Sequence, residues 1–182
     1  NNTAVGSNTN FGGALYLYLY TGTSKVEEKY DAVLRSNTFT GNSATRGYGG
    51  AVCLDSDDID EKLLLDRNTF TQNSTPNGDG GAFYARRGAV TLGAGNQFIE
   101  NWSYGSGSAI CLYGDGNYYR TSLYSVYEDD DAPDEADYTL FKDNRIGVDN
   151  YGEVNGTVRM NFGPNYTLRY AKFTDNQAVG TG

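Results

Sequence analysis

The chain has 182 residues, room for one domain or two small ones, with a net charge of −9, 24 glycines, 16 tyrosines, 3 prolines and no histidine. Without histidine there is no Ser-His-Asp or Cys-His nucleophile system and no histidine metal site. The negative charge argues against binding nucleic-acid phosphates, and no stretch approaches the roughly 18 apolar residues of a transmembrane helix.

The first predicted element follows Gly12-Gly13-Ala14. Leu15, Leu17 and Leu19 alternate there with Tyr16, Tyr18 and Tyr20, a strand period that buries the leucines and turns the tyrosines to solvent. Leu34 then precedes Phe39-Thr40-Gly41-Asn42, and Gly49-Gly50-Ala51-Val52 follows. The next stretch, Asp55 to Lys62, carries five acids and reads as an acidic loop over 55–62. Leu65, Phe70-Thr71-Gln72-Asn73 and Gly80-Gly81-Ala82-Phe83 repeat the order, as do Leu92, Phe98-Ile99-Glu100-Asn101 and Gly107-Ser108-Ala109-Ile110. A second acidic insertion over 127–138 comes before Phe141-Lys142-Asp143-Asn144. Leu168 and Phe173-Thr174-Asp175-Asn176 close the series.

The Phe-x-x-Asn element therefore occurs five times, at phenylalanine spacings of 31, 28, 43 and 32 residues. A repeat of about 30 residues made of short strands and glycine corners cannot bury its apolar face alone, whereas stacked copies bury a continuous core. The expected fold is all-β: a single domain over 1–182, a parallel β-helix of about five to six rungs. In it Phe39, Phe70, Phe98, Phe141 and Phe173 form an internal stack. Asn42, Asn73, Asn101, Asn144 and Asn176 form an amide ladder at an inward corner.

Alternation of Phe-x-x-Asn with Gly-Gly-Ala-apolar resembles the repeat region of the chlamydial polymorphic membrane proteins. FTGN with GGAV, FTQN with GGAF and FIEN with GSAI carry the resemblance. It implies a right-handed β-helix exposed outside the cell, in adhesion or a surface coat, and brings no catalytic residues, metal or cofactor with it.

Right-handed β-helices also include polysaccharide lyases and hydrolases, so a carbohydrate-active enzyme is the alternative. Three or more carboxylates converging in one outer groove would favour it. Otherwise the outward tyrosines Tyr16, Tyr18, Tyr20, Tyr84 and Tyr113 are a candidate contact face for glycans or a partner chain. Cys53 and Cys111 share a strand position with Tyr84 between them. Two strand spacings, about 9.6 Å, exceed the roughly 7 Å Cα reach of a disulfide. Glycan sequons stand at Asn1, Asn73, Asn101, Asn155 and Asn165. For a eukaryotic secreted chain, Asn1, Asn155 and Asn165 are expected to be occupied in preference to the ladder residues Asn73 and Asn101.

The segments Asn2-x-Ala-Val-Gly and Asn176-x-Ala-Val-Gly are the same element, 174 residues apart. A chain that ends in the phase in which it starts is expected either to stack head to tail with further copies of itself or to be one stretch of a longer repeat array.

Overall fold

Thr-Phe-Thr at 38–40, and again at 69–71, is branched and aromatic sequence that favours extended chain. The computed structural model describes residues 1–6, 9–20, 30–58, 60–114, 120–125, 133–147, 156–161 and 165–178, and both stretches are strands in it. They join Gln97–Ile99, Thr139–Lys142 and Ala171–Thr174 in a five-stranded sheet laid out in chain order. Its register sets the five phenylalanines opposite one another. Their rings stack at centroid distances of 4.9, 4.7, 5.1 and 4.6 Å, with planes within 11°.

Three further sheets obey the same order. The glycine-motif strands Leu15–Leu19, Val52–Ser56, Phe83–Ala85, Ile110–Leu112 and Val158–Met160 form one. Ala32–Arg35, Lys62–Asp66, Gly88–Leu92 and Thr121–Ser125 form another, which a bridge from Leu123 to Tyr166 carries one pass further. The two-residue strands that follow each Phe-x-x-Asn make a six-stranded sheet running from Thr3–Ala4 to Gln177–Ala178. A short pair, Asn10–Phe11 with Gly47–Tyr48, lies beside it in sequence. Every strand pair among the described residues is parallel, and their one helical element is the 3-10 turn Glu135–Asp137. The fold is all-β with parallel sheets.

Alternate residues of three of these sheets face one core. Val52, Leu54, Phe83, Ile110 and Leu112 come from the glycine-motif sheet, Leu63, Leu65, Val90 and Leu123 from its neighbour, and Phe70, Phe98 and Phe141 from the third. Each buried side chain of this size stabilises the fold by about 1.5–3 kcal/mol relative to exposure. Leu15, Leu17 and Leu19 pack on the same core at one edge and are only partly covered.

The paired glycines have two separate reasons. Gly49 lies at φ +67, and a Cβ there would overlap the Val52 carbonyl three residues on. Gly50 has no such φ; a Cβ on it would run into the Gly81 carbonyl of the next pass and the backbone of Ser74. The first glycine closes a corner and the second lets two passes approach. Ser108 stands in the second position of the fourth copy, beside Gly156, where the chain no longer spells the motif.

The acidic stretch over 55–62 is shorter as a loop than its composition suggests. Asp55 and Ser56 complete a strand and are buried. Arg86, one register step across, donates to Asp55 at 2.6 Å, and the Tyr16 hydroxyl donates to the same carboxylate at 3.2 Å. Arg87 donates to the carbonyls of Ser56 and Asp57. A paired carboxylate can be buried where an isolated one cannot. Within the second insertion, 127–132 lie outside the described residues; Glu135 accepts from Lys172 at 2.5 Å.

Gly81→Ala is expected to cost about 3 kcal/mol or more in chemical denaturation, because rigid backbone of the next pass occupies the space. Ser108→Ala, one pass along the same column, is expected to be neutral or stabilising. That site already holds a Cβ, and the buried Ser108 hydroxyl has no hydrogen-bond partner.

Candidate functional site

Each corner after a phenylalanine is built from a left-handed residue followed by an asparagine. Gly41, Gln72, Glu100, Asp143 and Asp175 hold φ between +53 and +62. The asparagine after each turns inward, and Asn73, Asn101 and Asn144 are fully buried. The backbone N–H and the side-chain Nδ2 of one asparagine both donate to Oδ1 of the next. Asn42 reaches Asn73 at 3.0 and 2.9 Å, Asn73 reaches Asn101 at 3.0 and 3.0 Å, and Asn101 reaches Asn144 at 3.0 and 3.0 Å. Asn2 begins this ladder by donating to Asn42, and Asn144 carries it to Asn176. The second Nδ2 hydrogen is used too: Asn101 donates to the Phe70 carbonyl at 2.9 Å and Asn144 to that of Phe98 at 2.8 Å. A buried amide with every group paired tolerates neither shortening nor ionisation.

A second ladder runs along the other end of the same strands. Asn37 donates to Asn68 and Asn68 to Asn96, through backbone N–H and Nδ2 alike. Ser36, Arg67 and Gly95 before them are again left-handed. The sequence carries the signal, an asparagine two residues before Phe39, Phe70 and Phe98, so that the full element is Asn-x-Phe-x-x-Asn.

While the ladder asparagines repeat, their neighbours vary: Gly-Asn-Ser, Gln-Asn-Ser, Glu-Asn-Trp, Asp-Asn-Arg and Asp-Asn-Gln. These neighbours form the outer surface of the corner. On the third and fourth passes they line an open groove of about 350 Å³, made by Glu100, Trp102, Asp143 and Arg145. Trp102 and Arg145 are register partners in the six-stranded sheet. Gln72 Nε2 donates to Glu100 Oε2 at 2.8 Å, and Lys142 Nζ lies 3.8 Å from Asp143. The groove brings together two carboxylates, Glu100 and Asp143. No group of three or more His, Cys, Asp or Glu suited to a metal is assembled among the described residues. No helix among them is long and apolar enough to cross a membrane.

The tyrosine face divides. Tyr16, Tyr18 and Tyr20 are exposed, at 44, 53 and 73%. Tyr16, Cys53, Tyr84 and Cys111 do share one column, but beyond Tyr16 the column is covered. Tyr84 is buried, contrary to its expected place on a contact face, and Tyr113 is half-buried. The cover comes from the link between the Phe-x-x-Asn corner and the glycine motif. Tyr48 from that link stacks on Tyr84 at 4.4 Å, Phe11 packs on Tyr48 at 5.8 Å and on Tyr16 at 5.6 Å, and Arg86 lies over the Phe11 ring. The result is a second small core of Cys53, Tyr84 and Cys111. Tyr84 stands between the two cysteines, and both thiols are free and buried. Burial pushes Cys53, Cys111 and Tyr84 well above their ordinary pKa values. Burial, and then the Asp55 charge, push Tyr16 up to about 12.

Of the sequon asparagines, Asn73 and Asn101 are ladder residues with no exposed surface. Asn1 and Asn165 are exposed. Asn1 lies over Gly41, and the Asn165 carbonyl accepts from the Leu123 N–H. Asn155 lies outside the described residues. Comparison with protein-family models, curated proteins and solved structures finds no match to this chain.

Asn101→Ala removes both Nδ2 bonds and the Oδ1 acceptor: the Phe70 carbonyl loses its side-chain donor, the Asn144 amide oxygen keeps only the Asn101 backbone N–H, and the Asn73 N–H and one Nδ2 hydrogen lose their acceptor. We expect a loss of about 3 kcal/mol or more by denaturant titration. A thiol reagent at neutral pH is expected to label neither cysteine in the folded chain and both after unfolding, as read by intact mass. The folded state holds the Tyr84 and thiol protons to higher pH than the unfolded chain does. Stability is therefore level below about pH 8.5 and falls as the pH rises above it, which thermal melts across pH 7 to about 10 will show.

Proposed function

We propose that the parallel sheets close into a right-handed β-helix of about five to six rungs, a non-enzymatic structural or adhesive unit of an extracellular surface. The resemblance of its two motifs to polymorphic membrane protein repeats supports that placement. Copies stack end to end through the sheet edges.

The observation that carries this reading is the polarity of the asparagine ladder. At one edge Asn2 donates inward to Asn42, and its own Oδ1 has no partner among the described residues. At the opposite edge Asn176 accepts from Asn144 and donates once, to the Phe141 carbonyl. Its backbone N–H and second amide hydrogen have no partner among the described residues. These are the two halves of the junction made at every internal rung. The other sheets support the same geometry. The strands earliest in the chain, Leu15–Leu19, Ala32–Arg35 and Thr38–Thr40, are at one edge, and Val158–Met160 and Ala171–Thr174 are at the other. Phe173 is 50% exposed there, a ring ready for the stack, and Phe39 is the first ring at the facing edge. Unpaired strand edges of matching polarity pair head to tail, and a heterologous contact that does not close gives a filament.

Electron microscopy and sedimentation velocity over a concentration series test this. The expected result is filaments with an axial rise of about 4.8 Å per rung. Asn176→Asp, which replaces donors by a carboxylate facing the Asn2 oxygen, is expected to return them to single copies, with a lowered melting temperature because the Phe141 carbonyl loses its donor. A monomer at every concentration overturns the reading.

A further inference from the structure

The groove on the third and fourth passes contributes nothing to the core or to the ladder edges, yet it gathers four groups of distinct chemistry. Trp102, the one tryptophan in the chain, is 36% exposed and has no ring partner among the described residues. Arg145, its register partner, carries a guanidinium with no ion pair among the described residues. Glu100 and Asp143 sit two residues before them, at left-handed corners with φ +54 and +53. The asparagines between, Asn101 and Asn144, turn into the core, so the residues on either side are left on the outer surface. Gln72 donates to one carboxylate oxygen of Glu100, Oε2. The volume, about 350 Å³, falls among small-ligand clefts, which run from about 300 to 1,000 Å³.

We propose that this groove binds a neutral saccharide, a sugar ring lying on the Trp102 indole with its hydroxyls held by Glu100, Asp143 and Arg145. The chemistry selects that class. A pyranose offers an apolar C–H face to an aromatic ring and a rim of hydroxyls that both donate and accept. The two carboxylates accept from those hydroxyls and the guanidinium donates to them, so each charged group is satisfied by a neutral partner. A phosphate or uronate would meet two carboxylates against Arg145 and, beside Asp143, Lys142, with no cation in excess to receive it. A cation would leave the guanidinium unpaired and repelled. A flat apolar ligand would use the indole and strand the other three groups. The site is independent of end-to-end stacking, since its residues lie on internal passes.

The single tryptophan makes the test direct. Fluorescence of the full chain is titrated with cellohexaose, mannohexaose and N-acetylchitohexaose, with hexagalacturonate as the charged comparison, and affinities are checked by calorimetry. The expected result is a saturable change in Trp102 emission with at least one neutral hexasaccharide and a weaker response to the uronate. Trp102→Ala is expected to lower that affinity by about tenfold or more, and Glu100→Gln and Arg145→Gln by about tenfold each, at unchanged melting temperature. Trp102→Phe is expected to retain part of the binding. The proposal is overturned by no saturable response to any of the three neutral probes up to about 10 mM. It is equally overturned by a Trp102→Ala chain that binds as tightly as the parent, or by the uronate binding more tightly than every neutral probe.

Discussion

A buried primary amide that must use all its hydrogens fixes this structure. Asn73, Asn101 and Asn144 each accept twice from the pass before, donate to the pass after, and give the last amide hydrogen to a phenylalanine carbonyl. That set of bonds exists only if consecutive passes are in register to within one residue, because a slip by one would turn the amide to the outer face. Aspartate lacks the donors, and glutamine would place its amide one methylene deeper. The left-handed residue before each asparagine belongs to the same device, since it aims the side chain inward while the backbone turns the corner. The phenylalanine stack then follows geometrically, three residues upstream on the strand that leads into the corner.

Once the ladder sets the register, the rest of the interior is a matter of clearance. The second glycine of the glycine motif exists because two backbones approach until a Cβ has no room. Where the next pass no longer carries the motif, Ser108 fits. The core is therefore specified by a few residue types at fixed offsets within a repeat, and the spacer lengths are free to vary. The 43-residue interval between Phe98 and Phe141 accommodates an acidic insertion without disturbing the stack on either side of it.

This division of labour leaves the outer surface open to specialisation. At the same corner the outward neighbours change from glycine and serine on one pass to glutamate, tryptophan, aspartate and arginine on later ones. A regular interior holds those side chains at strand spacing, so neighbouring passes can compose a polar, aromatic groove from residues that lie far apart in the chain. The sheet edges are a separate resource. They carry the bonding pattern of the interior itself, and it is on this that the proposed end-to-end pairing rests.

The sequence by itself determined the strand period, the order of the motifs, and the residues that meet across passes. Phe39, Phe70, Phe98, Phe141 and Phe173, with the asparagines three residues beyond each, can be read from spacing alone because identical positions in a repeat fall in one column. The second ladder, Asn37, Asn68 and Asn96, was equally present in the spacing as Asn-x-Phe-x-x-Asn. Solvent exposure on the outer face was not legible. A period of two says which residues leave the core, but not whether another segment covers them. Tyr84 and the two cysteines are buried because Phe11 and Tyr48, from links on other passes, lie over that column. Asp55 is buried because Arg86, 31 residues on, arrives beside it. The groove of Glu100, Trp102, Asp143 and Arg145 likewise joins passes separated by a long insertion. Only the tertiary structure decided these points, because coverage and juxtaposition depend on how links of unequal length return over a regular core.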